Sequence, residues 1–277
     1  MLGAIIGDIV GSRWEFNPTN DYNFELFSSE NSFTDDTICT VAVADAILRE
    51  CDYGESIHKW CRRYPHPMGG YGGRFAQWVH SDNPQPYGSF GNGAAMRVSP
   101  VAMWFSDTRE ARIQAEKTAA CTHNHPEGLK GAAAIAEAIS MAIHTCRGKT
   151  NDKQNRLAAQ IGMAVARRGN YDFDIDTRVV TNIFDETCQG TVPVALYIIT
   201  KSVSFEDAIR RAVSLGADAD TLGAIVGSIA EHIWGIPEWI KEKALTYLSS
   251  ELQNVVHEFY DKAGFSHNID KTKSLEI

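Results

Sequence analysis

Two short acidic clusters lie near opposite ends of the chain, and each directly precedes an apolar run with helical spacing. The first cluster covers residues 34–37 (Thr-Asp-Asp-Thr), and the second covers residues 216–221 (Gly-Ala-Asp-Ala-Asp-Thr). Their carboxylate and hydroxyl oxygens are the hard ligands that Mg²⁺ and Mn²⁺ prefer. We therefore expect folding to bring the two clusters together around metal, so that both ends of the chain belong to one core.

The spacing of the acids in the second cluster limits how they can bind. Asp218 and Asp220 would point about 200° apart on a regular helix, so they converge only at the irregular start of one. An aspartate or threonine at a helix start is also a common and stabilising N-cap. One cluster alone would favour that simpler interpretation, whereas two clusters of the same composition favour a metal site.

Glycines recur at helical spacing in the apolar segments next to both clusters. Gly3, Gly7 and Gly11 lie on one face of the first predicted helix, and the run GAIVGSI at 223–229 is similar to GAIIGDI at 3–9. A helical glycine costs about 1 kcal/mol relative to alanine, so it often marks a close backbone approach. Close packing of these two helices would hold the clusters together; chance similarity between two small-residue helices explains the pattern equally well.

Helical spacing of apolar residues runs through most of the chain, and alternating strand patterns are nearly absent. The predicted helices cover residues 2–11, 35–49, 54–63, 74–80, 94–105, 108–121, 127–146, 153–168, 205–214, 220–234 and 240–260, with a loop at 12–31. The β-branched segment 192–199 fits either a strand or a buried helix. We predict an all-α fold: a single compact multi-helix domain over 1–260 with a dinuclear metal cleft, and a polar C-terminal tail over 261–277 that frays.

The overall charge and the cysteines narrow the class of protein. A net charge of −9 argues against a nucleic-acid surface, although a bound metal would still allow a nucleotide ligand. The six cysteines are widely spaced and form no Cys-x-x-Cys, which is typical of reduced thiols.

The N-terminus lacks a basic leader, and no run of about 18 apolar residues exists. We expect a cytoplasmic monomer with no membrane partner.

Two glycine-rich loops are candidate ligand contacts. A loop that opens a helix can present backbone N–H groups to a phosphate or a ribose, although plain turns look similar. The first loop consists of Gly88, Ser89, Phe90, Gly91, Asn92 and Gly93. The second, at 69–73, contains Tyr71. The rings of Tyr71 and Phe90 could stack on a base or belong to the core.

Two single residues are candidates for chemistry or binding. Glu15 stands between Trp14 and Phe16, and aromatic surroundings could raise its pKa for acid–base work; a solvated loop glutamate is the simpler interpretation. His123 and His125 could suggest zinc, but no third soft ligand is near in sequence, which favours ordinary loop histidines.

In this order, these segments resemble the ADP-ribosylglycohydrolase family, the group related to dinitrogenase-reductase-activating glycohydrolase. The resemblance spans roughly residues 2–237. The matching segments are GAIIGDIVGSRWEF at the start, FTDDT at 33–37, GYGG at 70–73, GSFGNGAAMRVSP at 88–100, TH at 122–123, and GADADT at 216–221 leading into GSIAEHIWGIP. Ala217 is a departure, since family members often have glycine there.

The resemblance implies a compact all-α fold with two Mg²⁺ or Mn²⁺ ions in a cleft. It implies a hydrolase that cleaves the glycosidic bond between ADP-ribose and an acceptor. The metal ligands that it implies are Thr34, Asp35, Asp36, Asp218, Asp220 and Thr221. It also implies catalytic roles for Glu15 and for Asp36 and Asp220 as ligands, a diphosphate site on loop 88–93, and a ligand contact for His123.

Several points stay open at this level. A metal-dependent nucleotide phosphohydrolase would release phosphate, and a non-catalytic ADP-ribose-binding or crystallin-like protein would bind without turnover. The intact ligand residues count against the non-catalytic alternative. The sequence does not choose between Mg²⁺ and Mn²⁺, nor does it name the acceptor, which could be arginine, serine, another residue of an ADP-ribosylated protein, a nucleobase or a small molecule.

Overall fold

The computed structural model describes residues 1–173 and 181–265. Over these residues the regular structure is helical, with one isolated bridge between Gly91 and Thr187, so the all-α prediction is confirmed. The helices are α1 (Leu2–Gly11), α2 (Asp35–Arg49), α3 (Tyr53–Arg63), α4 (Gly73–His80), α5 (Gly93–Met96), α6 (Ser99–Trp104), α7 (Thr108–Ala120), α8 (Pro126–Cys146), α9 (Asn151–Arg168), α10 (Cys188–Lys201), α11 (Phe205–Val213), α12 (Ala219–Trp234), α13 (Glu238–Leu245) and α14 (Ser250–Lys262).

Helices α1 and α12 carry the two glycine patterns, and their backbones lie against each other. A Cβ built on Gly7 would overlap the Gly223 carbonyl, and one built on Gly3 would overlap the Gly227 carbonyl. Any side chain at these positions would force the helices apart. The close-approach interpretation is therefore confirmed, and chance similarity is not needed. The contact sets the start of α12, with the second acidic cluster, beside the end of α1.

The predicted helix at 94–105 is wrong in one respect, because the segment forms two short helices. Helix α5 ends at Met96 and α6 begins at Ser99. Pro100 lies at the first turn of α6, and it has no N–H to donate to the carbonyl of Met96, four residues earlier. Its ring would also clash with that carbonyl. The break places Arg97 in the interior of the protein.

The predicted helix at 240–260 is also divided, into α13 and α14. Ser249 accepts a hydrogen bond from the Leu252 backbone N–H (3.4 Å) and caps α14, which is the usual role of a serine at this position. The side-chain amide of Gln253 donates to the carbonyls of Leu245 and Leu248. The Leu245 carbonyl also accepts the Leu248 backbone N–H at 3.2 Å, so backbone and side-chain hydrogen bonds together hold the segment between the two helices.

Smaller differences concern segments that the sequence left open or assigned to loops. Segment 192–199 is helical and lies within α10. The predicted loop at 12–31 begins with a short 3₁₀ turn, Ser12–Trp14. In the predicted tail, Phe265 packs edge-on against His232, with ring centroids 5.8 Å apart; residues 266–277 lie outside the described residues. Within the described part of the chain, every helix is too short or too polar to cross a membrane.

The helix contact predicts a large effect of a small substitution. Gly7→Ala should lower the free energy of unfolding by roughly 3 kcal/mol or more, the upper end of overpacking costs, because the added methyl meets backbone that cannot rotate away. Urea denaturation followed by circular dichroism measures this. Gly73→Ala is the matched control, since a Cβ there has no atom within 4 Å. Equal stability of the two variants would contradict the close contact.

Candidate active site

The two acidic clusters meet in one cleft of about 440 Å³. Thr221 of the second cluster donates a hydrogen bond to Asp36 of the first, with 3.4 Å between Oγ1 and Oδ1. The cleft therefore forms where α2 and α12 begin. Among the residues that the sequence predicts for the site, the cleft is lined by Glu15, Asp35, Asp36, Tyr71, Ser89, Gly91, Asn92, Gly93, His123, Asp218, Asp220 and Thr221.

Three carboxylates form a group that can hold a metal ion. One oxygen each of Glu15, Asp218 and Asp220 lies within 4.8 Å of the others. Close by, Asp36 Oδ2 and Asp220 Oδ1 are buried and make no hydrogen bond within residues 1–173 and 181–265. A buried acceptor without a partner carries its full desolvation cost, and a divalent cation would offset that cost. The donor set is all oxygen, so the residues present fit Mg²⁺ or Mn²⁺.

The same crowding raises the pKa values of the acids. Burial, followed by the nearby Asp220 charge, raises the pKa of Asp8 to about 7 and the pKa values of Asp35 and Glu15 to about 8. Asp36 and Asp218 have pKa values raised well above the ordinary value, for the same two reasons. Without a cation, these carboxyl groups therefore favour the protonated, neutral form over the ionised form.

Asp8 is a member of this group that the sequence analysis missed. It lies on α1, and its carboxylate accepts hydrogen bonds from the backbone N–H groups of Thr34 and Thr37, each at 3.0 Å. It thereby ties α1 to the first turn of α2, where ligands are predicted. The signal was present, because an aspartate inside an apolar, glycine-bearing helix needs a specific partner when it is buried.

Thr34 is buried and its hydroxyl accepts the Asp36 backbone N–H at 3.3 Å, so it caps α2. It does not line the cleft surface, unlike the other predicted ligands. The Thr34 hydroxyl also bonds to Asp220, which opposes the rise of that pKa by burial. The structure thus gives Thr34 a capping and bridging position beneath the carboxylates.

The glycine-rich loop 88–93 lies beside the carboxylates, and Asn92 bonds directly to one of them. Its side-chain amide donates to Asp218 Oδ2 at 2.7 Å and to Thr191 Oγ1 at 3.1 Å. This amide therefore orients a predicted metal ligand. The backbone of Asn92 donates to the Glu186 carbonyl at 2.6 Å, which brings Glu186, a residue missed from the sequence, onto the cleft wall.

Several other N–H groups of this loop already have partners within the protein. Ser89 donates to the Thr122 carbonyl, Gly88 to the Asn124 side chain, and Gly91 to the Ser89 hydroxyl. Gly88 and Phe90 do not line the cleft; the Phe90 ring lies beside His125, with centroids 5.3 Å apart. The loop therefore borders the cleft mainly through Ser89 and residues 91–93.

Tyr71 is in the cleft wall, but its polar end faces the protein. Its hydroxyl oxygen lies 2.7 Å from the Tyr64 carbonyl and 3.0 Å from the Cys61 carbonyl, and its one proton is directed at these two acceptors. Its ring packs edge-on against Phe75, with centroids 5.6 Å apart. A stacking role toward a base stays a prediction, and only the exposed part of the ring could serve it.

Arg97 is a second cleft residue that the sequence analysis did not single out. It is completely buried, and its Nη2 donates to the Thr118 carbonyl (2.9 Å) and to Thr122 Oγ1 (2.8 Å). Its Nε and Nη1 have no hydrogen-bond partner among the described residues. Burial and this guanidinium together lower the pKa of His123 well below its ordinary value. Arg97 therefore places a buried positive charge on the side of the cleft near the glycine loop.

Comparison with known proteins agrees with this architecture. Residues 1–267 match the model of the ADP-ribosylglycohydrolase family, and the chain belongs to that family. The ADP-ribosylarginine hydrolase Tri1 of Pseudomonas putida (strain GB-1) is 26% identical over 300 residues, covering 95% of this chain and 77% of that protein. The ADP-ribosylhydrolase ARH3 of Homo sapiens is 24% identical over 337 residues, covering 95% and 93%.

A solved structure described as an ADP-ribosylglycohydrolase-related protein complex has the same fold. Its TM-score is 0.67 with 23% sequence identity, and the alignment covers 96% of this chain and 97% of that chain. The fold that the sequence resemblance implied is therefore confirmed.

The buried acids predict how stability depends on pH. Their pKa values in the folded state exceed those of the unfolded chain, which are near 4. In the metal-free protein the folded state thus keeps protons that the unfolded state has lost. The contribution of these acids to the free energy of unfolding should be fully present below about pH 4 and should fall as the pH rises to about 8, the raised value of Asp35.

Saturating Mg²⁺ should remove this fall, because metal binding favours the ionised ligands and grows stronger as they lose protons. Urea unfolding across this pH range, in EDTA and in Mg²⁺, measures the effect. Identical pH profiles in the two conditions would show that the acids do not bind the metal.

Proposed function

We propose that this protein is a metal-dependent ADP-ribosylhydrolase that cleaves the bond between the distal ribose of ADP-ribose and an acceptor. The observation that supports this most strongly is the carboxylate group beside the glycine-rich loop, with unpartnered buried oxygens on Asp36 and Asp220. The chain carries this group within an ADP-ribosylglycohydrolase fold. The relatives named above are described as hydrolases of ADP-ribosylated substrates.

The residues that would hold two divalent cations are those that face the cleft from both clusters. When bound, the cations supply Lewis-acid polarisation and an activated water. The proposed ligands are Asp35, Asp36, Asp218, Asp220 and Thr221. Thr34 would hold them in place through its hydrogen bonds to the Asp36 backbone and to Asp220. Asn92 holds the Asp218 carboxylate in place through its amide.

The remaining residues bind and orient the substrate in this proposal. The diphosphate lies along Ser89 and residues 91–93, near the positive charge of Arg97. Glu15 lies next to Asp218 and Asp220, where the scissile bond of the distal ribose would sit. Its pKa, raised to about 8 by burial and by Asp220, suits a group that exchanges a proton near neutral pH.

The cleft rim favours a cationic acceptor, namely an arginine side chain. Phe16 is 71% exposed and pairs with Phe184, with ring centroids 6.2 Å apart. Phe16 and Glu186 line the same cleft as Glu15. Aromatic faces attract guanidinium groups, and carboxylates form strong hydrogen bonds with them. The same acceptor appears in the name of the Pseudomonas putida relative.

A substrate comparison tests the reaction and the acceptor together. Arginine-linked and serine-linked ADP-ribosyl peptides are incubated with the protein in Mg²⁺ and in EDTA, and the products are identified by mass. We expect intact ADP-ribose from the arginine peptide in Mg²⁺ and no turnover in EDTA. Phe16→Ala and Glu186→Gln should each raise KM for the arginine peptide, with little change for a serine peptide.

The outcomes of that comparison separate the alternatives. Release of phosphate or AMP would indicate a nucleotide phosphohydrolase. Binding of ADP-ribose with no product from any substrate would indicate a non-catalytic binding protein. Faster hydrolysis of the serine peptide would overturn the assignment of the rim to a guanidinium.

A pair of variants tests the division between catalysis and metal binding. Glu15→Gln should lower kcat by roughly 10²–10⁴, the usual contribution of a general acid or base, while Mn²⁺ affinity stays near that of the wild type. Asp220→Asn should lose Mn²⁺ affinity and turnover together. Titration with Mn²⁺ and steady-state kinetics give both quantities. Loss of Mn²⁺ affinity in Glu15→Gln would place Glu15 among the metal ligands instead.

A further inference from the structure

The structure assigns to Arg97 and Thr122 a role as positioning residues that hold His123 as a neutral donor, with its proton on Nε2 facing loop 88–93. This inference rests on the proposed function only for the identity of the bound ligand. The arrangement of the three residues itself comes from their hydrogen bonds, and His123 lines the cleft.

The hydroxyl of Thr122 is the centre of the arrangement. It accepts a hydrogen bond from Arg97 Nη2 at 2.8 Å, and it lies 2.6 Å from His123 Nδ1. Arginine only donates hydrogen bonds, so the direction of the first bond is certain. The direction of the second decides which nitrogen of His123 carries the proton.

The hydroxyl proton of Thr122 has one good acceptor, which is His123 Nδ1. Two weaker candidates are the Cys121 sulfur, which bonds to the Thr122 side chain but is only a weak acceptor, and the Ala119 carbonyl, which lies 3.5 Å away, at the limit of hydrogen-bond length. That carbonyl already accepts the backbone N–H groups of Thr122 (3.0 Å) and His123 (2.7 Å). The hydroxyl therefore donates to Nδ1, and the proton of a neutral imidazole must reside on Nε2.

The Nε2 atom faces the glycine-rich loop. A Cβ built on Gly93 would lie 3.2 Å from Nε2, and one built on Gly91 would lie 3.4 Å from it. Among the described residues no hydrogen bond to Nε2 is present, and His123 lines the cleft. The Nε2–H group is thus available to an oxygen of a ligand on this loop, which the proposed function identifies as a diphosphate oxygen of ADP-ribose.

Arg97 keeps the imidazole neutral as well as orienting it through Thr122. Burial and the guanidinium charge both lower the pKa of His123. The Tyr87 ring beside the imidazole, at 6.1 Å between centroids, is uncharged near neutral pH because its pKa is raised to about 12. Arg97 accordingly carries the positive charge on this wall, while the neutral His123 donates a directed hydrogen bond from Nε2.

The same threonine also holds the loop by its backbone. The Thr122 carbonyl accepts the N–H groups of Tyr87 and Ser89, each at 3.4 Å. Thr122→Val keeps this carbonyl and the side-chain volume but removes the hydroxyl. Thr122→Ser keeps the hydroxyl and removes only a methyl group. The two variants therefore separate the hydrogen bond to His123 from the shape of the site.

The test is a tautomer measurement combined with ligand binding. Long-range ¹H–¹⁵N correlation spectra of ¹⁵N-histidine-labelled protein distinguish the ring nitrogens, and His123→Gln assigns the His123 signals among the nine histidines. We expect a protonated Nε2 and an unprotonated Nδ1 in the wild type and in Thr122→Ser. In Thr122→Val we expect a mixture of tautomers and ADP-ribose affinity lower by roughly 3- to 10-fold, the value of the neutral hydrogen bond between Thr122 and His123 that the variant removes.

Two results would overturn the inference. One is a wild-type His123 with its proton on Nδ1, and the other is a Thr122→Val protein with unchanged tautomer and unchanged affinity. If the wild type does not bind ADP-ribose at all, the proposed function fails, and the wild-type tautomer still decides whether Arg97 and Thr122 position the imidazole.

Discussion

The burial of several carboxylates beside one another is the constraint on which the rest of the structure depends. Four aspartates are almost inaccessible to solvent: Asp8, Asp36, Asp218 and Asp220. Burial raises the pKa of Asp36, and the charges of the other three raise it further. Such a group forms only if the backbone holds it together against the cost of desolvation and the repulsion between the charges. The glycine contact between α1 and α12 does this, because two helix backbones in direct contact cannot separate without losing the packing of the core.

The cleft has two chemically different walls, and this division connects the fold to the proposed reaction. One wall is acidic and has acceptor oxygens without partners in the described part of the chain, which suits cations. The other contains Arg97, His123 and the glycine-rich loop, which suit an anion. A substrate with a diphosphate at one end and a ribose at the other matches both walls. Asn92 joins the walls, since it belongs to the loop and bonds to Asp218.

Much of this arrangement could be predicted from the sequence, for physical reasons that particular residues illustrate. Helical spacing and small residues are local signals, so α1, α12 and their contact followed from the glycines. The two acidic clusters have the same composition, aspartates with threonine, and this similarity predicted that they meet at one site. The break at Arg97 results from the missing N–H of Pro100, and the spacing of apolar residues contains no information about backbone hydrogen bonds. The partners of Asp8 and Asn92 come from distant segments, so only the folded chain could show that these side chains orient the first and second clusters.

Mn²⁺ binding followed by electron paramagnetic resonance tests the central claim that the carboxylates form a metal site. Free Mn²⁺ gives a sharp spectrum that is lost on binding. For the wild type, the proposed dinuclear site predicts that the signal of about two equivalents of free Mn²⁺ per chain is lost. In Asp220→Asn, the signal of both equivalents should be retained. A free signal that is the same with and without wild-type protein would contradict the claim, and the buried acids would then have to be explained as proton-holding groups.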